Sequence, residues 1–324
     1  MKEIKEVLKA CRRYRKFLIT THQNPDADAA SSALAMAAFL KSLGKSVCVV
    51  NEDALPQWLM FLPQAKLFKR VRQLAAFEYD AAIVLDCGDR KRVGAAGKLF
   101  IEGRPVINID HHITNDRFGD VNAVIGKASS TCEIIFELLK AAGYRMNKAM
   151  SMLLYAGIMT DTGSFRYENT GPRTHAIVAE LMAFGLNAPD LYRRLYAGIP
   201  VRDLKLFTEV IHDAGLLLDG KVYCVCLPER TVAGFSRSFD LKERLFGFLR
   251  MIDGIEVVVI LTQINSKETR VNLRSQGKFD VARLAQKFNG GGHMKAAGAR
   301  IYDNLAAAKK QIIARITRQM KNGK

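Results

Sequence analysis

The sequence predicts an α/β protein of two domains: an N-terminal domain with a parallel sheet and helices on both faces, and a smaller C-terminal α+β domain with a mostly antiparallel sheet. Three observations carry this expectation. The 324 residues suffice for two domains at ~150 residues each. In the first half, short continuous apolar runs alternate with helical patterns, as strands buried on both faces and their crossover helices do. Beyond about His212 the texture changes to paired strand-like runs joined by tight-turn residues.

Phe17–Thr21 reads as the first strand, and the helical pattern Ala29–Leu43 behind it stops at Gly44. Val47–Val50 is the second strand. Ala81–Asp86 and Val106–Asp110 have the same character, each a continuous apolar run that ends on a carboxylate. Ser130-Thr131-Cys132-Glu133 has the Ser-x-x-Glu form of a capping box and opens the next helix. Further helices are predicted over Lys148–Thr160 and Arg173–Phe184, the second closed by Gly185. Gly198-Ile199-Pro200 lies near the start of a connector, which places the domains at 1–195 and 213–324 with residues 196–212 between them. In the second domain, Leu216–Leu218 and Lys221–Leu227 flank Asp219-Gly220, a pair that suits a type I′ turn. Ile255–Ile264 and Thr269–Arg274 flank a second turn at Asn265–Glu268, while Val281–Phe288 and Leu305–Met320 are helical behind Asp280 and Asn304.

Composition excludes several classes. Hydrophobic residues at 49% and charged residues at 25% rule out global disorder. The longest uncharged apolar stretches, near Ala29–Leu40 and Ala149–Thr160, run to about twelve residues, short of the ~20 that a bilayer needs. The charged start Met1–Glu6 is unlike a secretory signal. Cys11, Cys48, Cys87, Cys132, Cys224 and Cys226 lack the paired spacing of a zinc site, so reduced thiols in a cytoplasmic protein are expected. No Walker-type loop or dinucleotide-binding glycine pattern follows a strand. The 49 Lys+Arg against 32 Asp+Glu give a net charge of +17, which points to a polyanionic partner.

The strongest chemical signal is the placement of acids and imidazoles at the ends of apolar runs. His22, Asp26 and Asp28 share one short loop after the first strand. Asp86 ends a later strand, Asp110-His111-His112 ends another, and Asp161 closes an apolar helix. In a parallel sheet, ligands collect beyond the carboxyl ends of the strands. Carboxylates gathered there without cations would repel one another and shift toward protonation. Two divalent ions remove that conflict, since four charges of −1 balance two of +2. Oxygen-rich ligation with one or two imidazoles suits Mn²⁺ best, with Mg²⁺ or Co²⁺ as alternatives. Two such ions ~3.5–4 Å apart lower the pKa of a bridging water and stabilise phosphoryl oxygens during in-line attack. In the second domain, Gly290-Gly291-Gly292 permits close backbone approach to an anion, with His293 beside it.

The set His22-x-x-Pro25-Asp26-x-Asp28, Asp86, Asp110-His111-His112 and Asp161 resembles the DHH phosphoesterase superfamily. The segment Phe288–Gly298 resembles the signature of the DHHA1 domain found in one branch of it. Together these motifs span Thr20 to Gly298, nearly the whole chain, and by length and domain order the sequence is most similar to the oligoribonuclease (nanoRNase)/pAp phosphatase group. The resemblance implies one metal on His22, Asp26 and Asp86 and another on Asp28, Asp86, His111 and Asp161, with Asp86 bridging. It also implies that His112 stands near the reacting phosphate and that Asp110 orients an imidazole. Asp86 and His112 are therefore the expected catalytic residues. Arg274, Gly290, Gly291, Gly292 and His293 are the expected substrate-binding residues, facing an active site in the cleft between the domains.

The implied activity is that of a Mn²⁺-dependent phosphoesterase that degrades short oligoribonucleotides to mononucleotides and converts pAp to AMP. The alternative substrates are cyclic dinucleotides or linear products such as pApA or pGpG. A non-catalytic nucleic-acid-binding protein is the third reading, and it would be expected to have lost ligands, none of which is missing. No membrane partner is expected, and a homodimer stays open.

Overall fold

The computed structural model describes residues 2–74, 77–196, 199–236 and 239–322. The chain divides into two compact units, Met1–Ala197 and Gly198–Lys324.

The N-terminal unit runs α1 (Lys2–Arg13), β1 (Lys16–Thr21), α2 (Ala27–Ser42), β2 (Ser46–Asn51), β3 (Phe68–Arg70), β4 (Ala81–Leu85), β5 (Val106–Asp110) and β6 (Val121–Val124). Four helices follow: α3 (Thr131–Ala141), α4 (Lys148–Asp161), α5 (Pro172–Met182) and α6 (Ala188–Tyr196). The six strands form one sheet in the order β3-β2-β1-β4-β5-β6, with every neighbouring pair parallel. Side chains alternate between two faces, as the two-residue period of a strand requires. Phe17, Ile19, Ile83, Leu85, Ile107 and Ile109 join the core beneath the helices. Leu18, Cys48, Val50, Ala82, Val84 and Val106 point the other way, where a 3₁₀ segment over Arg90–Leu99 and the side chains of Tyr79 and Phe118 cover them. Each large apolar side chain so buried contributes ~1.5–3 kcal/mol.

Helix α2 is Ala- and Ser-rich and buried on almost all sides, so it carries no polar face. Its small side chains let it pack closely on α4, the helix that ends on Asp161. Strands β3 and β6 were not legible as strands because both are short and only partly buried. They are the sheet edges, where Lys69 and Arg70 discourage further pairing.

The C-terminal unit contains α7 (Val201–His212), β7 (Gly215–Leu217), β8 (Val222–Leu227), α8 (Glu229–Gly234), α9 (Leu241–Leu249), β9 (Val257–Asn265), β10 (Glu268–Ser275), α10 (Val281–Gln286), β11 (Gly291–His293), β12 (Ala296–Ile301) and α11 (Leu305–Asn322). Its sheet has the order β11-β12-β10-β9-β8-β7, antiparallel throughout except for the β8–β9 pair. Asp219 and Gly220 both have positive φ, and Lys221 N donates to Leu218 O at 3.1 Å, which makes the β7–β8 connection the expected type I′ turn. Val257, Val259 and Leu261 face α10 and α11, whereas Val258 and Ile260 face α7 and α9.

Residues 201–212, expected as part of a connector, fold instead as α7. Pro200 marks the helix start, with its fixed φ at the N-cap, and Phe207 and Val210 enter a core with β8. Asp203 is buried there and accepts Ser236 N with both carboxylate oxygens, at 3.2 and 3.3 Å.

Candidate metal centre

The order of the N-terminal sheet changes direction between β1 and β4, and such switch points open a crevice at the carboxyl edge. His22 follows β1 directly and Asp86 follows β4 directly, so these two side chains flank the crevice. His111 and His112 follow β5 on the same edge. Asp26 is the N-cap of α2, its Oδ1 accepting Ala29 N at 3.0 Å, and Asp28 lies in the first turn of that helix. Asp161 arrives from the last residue of α4.

Two sets of donor atoms meet at Asp86. Its Oδ2 lies 3.5 Å from His22 Nε2, which is 3.7 Å from Asp26 Oδ2. Its Oδ1 lies 3.5 Å from His111 Nε2, which is 3.3 Å from Asp161 Oδ2. Asp28 supplies a further oxygen near Asp86 and His111. Two ligands ~2.1 Å from a common ion stand ~3.0 Å apart at octahedral and ~3.4 Å apart at tetrahedral angles. The separations around Asp86 lie near those edges, and the carboxylate offers one oxygen to each set. The donors are oxygen and imidazole nitrogen only. Cys87 and Cys132 lie beside the site, but burial pushes the Cys87 thiol up to about 12 and holds the Cys132 thiol well above the ordinary range too, so neither is a ready thiolate. The residues present thus fit a pair of hard or borderline divalent cations.

Each ring is held by a contact at Nδ1. His22 Nδ1 pairs with Gln23 O at 2.7 Å and His111 Nδ1 with Ala128 O at 3.4 Å, so both rings turn Nε2 toward Asp86. His112 is held the other way round, with Nδ1 on Asp110 Oδ1 at 2.7 Å. Asp110 is completely buried, and its contacts make it a support for His112.

Electrostatics follow the crowding. Burial works against the charge on His22, but its bonds to Asp26 and Asp86 outweigh that and raise it to about 10. His111 is also raised: burial opposes the charge, and the carboxylates of Asp86, Asp28 and Asp110 overcome it. Asp26 and Asp86 are held below the ordinary carboxylate range, their desolvation outweighed by His22. Asp28 goes the opposite way, pushed well up by burial and then by the neighbouring charges of Asp86 and Asp161.

Three features of the site were not read from the sequence. The amides of Thr131 and Cys132, at the start of α3, donate to the two oxygens of Asp28 at 2.7 and 2.9 Å. The Thr131 hydroxyl donates to Asp86 Oδ1 at 3.1 Å. Gly157 in α4 leaves room for this arrangement, since a Cβ there would collide with Cys132 Sγ and stand 2.6 Å from Asp28 Oδ1. The capping signature at Ser130 did mark the start of α3. Its Glu133 side chain, however, bonds Ser129, with Oε2 taking the Ser129 hydroxyl at 2.6 Å. Asp86 itself sits at φ +55°, in the left-handed region that is uncommon for a residue with a side chain.

The C-terminal candidates lie on or beside β11 and on β10, two strands of one sheet with β12 between them. Gly291, Gly292 and His293 form β11, an edge strand paired with β12. A Cβ on Gly290 would meet the backbone of Gly298 and Ala299, and one on Gly292 the backbone of Ala296 and Ala297. Close packing on β12 therefore accounts for both glycines, while a Cβ on Gly291 would meet nothing within 4 Å. Arg274, on β10, donates to Glu243 Oε1 at 3.1 Å and lies over the Phe246 ring at 4.7 Å.

Comparison with known proteins follows the same division. The model of the DHH family N-terminal domain matches residues 16–158, and that of the DHHA1 domain matches residues 241–322. A bifunctional oligoribonuclease and PAP phosphatase from Thermus thermophilus is 33% identical over 300 residues, covering 92% of this chain and 87% of the relative. The protein of the same description from Bacillus subtilis is 28% identical, with 92% and 93% covered. Among solved structures, an exopolyphosphatase-related protein from Bacteroides fragilis is 27% identical with a TM-score of 0.86, covering 99% of this chain and 96% of that one. No helix among the described residues is long and apolar enough to cross a membrane.

Proposed function

The chain belongs to the DHH phosphoesterase family, in the branch that carries a DHHA1 domain, and on that premise we propose that it hydrolyses short oligoribonucleotides to mononucleotides and pAp to AMP. The observation that carries the chemistry is the division of Asp86 between two donor sets, one with His22 and Asp26, the other with Asp28, His111 and Asp161. The names of relatives that match over most of their length support the choice of substrate, and the charge of +17 suits a polyanion.

In this reading His22, Asp26 and Asp86 hold one divalent ion and Asp28, Asp86, His111 and Asp161 the other, with Mn²⁺ as the working metal. When bound, the pair of ions activates a water for attack and offsets charge on the phosphoryl oxygens. His112 presents Nε2 to the scissile phosphate because Asp110 holds Nδ1, and a proton at Nε2 can pass to the leaving oxygen. Arg274, Gly291 and His293 bind the phosphate that is not cleaved. Gly290 and Gly292 let β11 lie close enough to β12 to present them.

Incubation with Mn²⁺ and labelled di- to pentanucleotides should release mononucleotides, and pAp should yield AMP. Rates on cyclic di-AMP and linear pApA measured beside them set the ranking. Turnover of cyclic di-AMP with neither short RNA nor pAp consumed would replace the substrate assignment, and no phosphoester turnover at all would reject the activity.

A further inference from the structure

The carboxylate of Asp110 is fully buried and has two oxygens to satisfy. One takes His112 Nδ1 at 2.7 Å, and the other takes Asn115 Nδ2 at 2.5 Å. A buried charge is tolerated only where its oxygens are hydrogen-bonded. Burial raises the Asp110 carboxyl, yet the bonds from His112 and then Asn115 bring it below the ordinary range.

The Asn115 amide is not interchangeable end for end. Its Oδ1 accepts Arg117 N at 2.6 Å. Its Nδ2 also points at Asn108 Oδ1, 2.9 Å away, and at Cys87 O, 3.2 Å away. A flipped amide would set its oxygen against a carboxylate, a carbonyl and an amide oxygen, and its NH₂ against the N–H of Arg117. Asn108, buried within β5, donates from its own Nδ2 to Cys87 O at 3.2 Å. The network therefore ties the end of β4, next to Asp86, to the support of His112. Gly88 completes the seat, since a Cβ there would stand 3.2 Å from His112 Cβ.

We propose that Asn115 is a positioning residue that acts through Asp110 to hold the His112 ring with Nδ1–H on that carboxylate and Nε2 on the outward side. A carboxylate that accepts a fixed N–H selects one tautomer of the ring, and the Asn115 amide makes Asp110 such a carboxylate. The use of His112 in turnover rests on the proposed phosphoesterase reading, whereas the tautomer does not.

The test is a nitrogen–proton correlation spectrum of the full chain labelled with ¹⁵N-histidine and loaded with Mg²⁺, the His112 signals being identified by their loss in His112→Gln. In the wild type His112 shows a protonated, exchange-protected Nδ1. Asn115→Ala and Asn115→Asp should both lose that protection, the second more completely because two carboxylates then face each other. Both should lower kcat on pAp by about 10–100-fold, the range for supports of site residues, with KM and Mn²⁺ uptake changed less than about threefold. Asn115→Ser, which keeps a donor, should recover part of both. Unchanged Nδ1 protection in Asn115→Ala and Asn115→Asp would overturn the proposal. So would a fall in kcat matched by equal loss of Mn²⁺ uptake or of thermal stability. If the wild type turns over no phosphoester, the activity reading fails and the spectra alone still decide the tautomer.

Discussion

The carboxyl edge of the N-terminal sheet and the β11 edge of the C-terminal sheet are built on opposite terms. At the first, key side chains of the cluster are buried and pinned by partners distant or adjacent in the chain: Asp28 by the α3 amides, Asp86 by Thr131, His112 by Asp110. At the second, the glycines are needed largely by the backbone, and Arg274 already has Glu243 and Phe246 as neighbours. Preorganised groups commit a site to one kind of chemistry, whereas an open edge strand leaves recognition to be set by the ligand. The lesson is that the first region is built to fix the chemistry of its side chains, whereas the second keeps a side open to be shaped by what it meets.

The widest gap between the regions should appear with Asp86→Asn. Because both donor sets share this carboxylate, the variant should lose uptake of both ions, with turnover falling by more than the ~10–100-fold typical of supporting residues. Calorimetric titration with Mn²⁺ alongside kinetics reads this directly. Two ions still bound at wild-type affinity would dissolve the bridging role.

Gly157→Ala tests whether the packing behind the ligands matters as much as the ligands. The added methyl meets Cys132 and Asp28, so a stability loss of ~1–3 kcal/mol is expected, together with weaker ion binding. Urea denaturation with and without Mg²⁺ separates the two effects. Equal loss in both conditions would confine Gly157 to the core.

The C-terminal edge has an internal control. Gly290→Ala must push against backbone and should destabilise by ~1–3 kcal/mol, whereas Gly291→Ala should stay within ~0.5 kcal/mol of wild type. If Gly291 lines the phosphate site, the same Gly291→Ala change raises KM for pAp while thermal stability is unmoved. Wild-type KM would return the whole glycine run to a packing role.

The smallest effect is in pH. His22 is raised from 6.5 to about 10, so its pairing stabilises the metal-free fold fully below pH 6.5 and is lost as pH climbs through 10. Asp26 and Asp110 are depressed, so their contribution is complete above pH 3.8 and is lost only in more acidic solution. Metal-free protein should therefore lose melting temperature between pH 6.5 and 10, while Mg²⁺-loaded protein, whose His22 has surrendered its proton, should not. Parallel curves in the two states would place His22 outside the ion site.

The residues that gather around Asp86 were legible because His22, Asp86 and His111 each follow an apolar strand, whose polarity sends them to one edge, and Asp161 ends an apolar helix. Their supports were not. Thr131 lies 45 positions from the carboxylate it bonds, and Asn115 reads as an ordinary loop amide. The left-handed backbone at Asp86 has no sequence signature either, since Asp is common in strand-end turns. Residues 201–212 were expected in a connector for a different reason: Gly198-Ile199-Pro200 looks like a break, yet Pro200 caps the start of α7. The glycine run was visible, but its chemistry and its packing demand the same residue, and only the register with β12 separates Gly291 from its neighbours.

The φ of +55° at Asp86 bears on how that position can be interrogated. Aspartate and asparagine enter the left-handed region far more readily than alanine, whose methyl meets the following carbonyl there. Alanine scanning at position 86 would mix a lost ligand with a distorted turn, and the turn carries Cys87 and Gly88 toward the seat of His112. Asparagine keeps the bend and removes only the anion, so the contrast between the two replacements weighs conformation against charge at the hub of the centre.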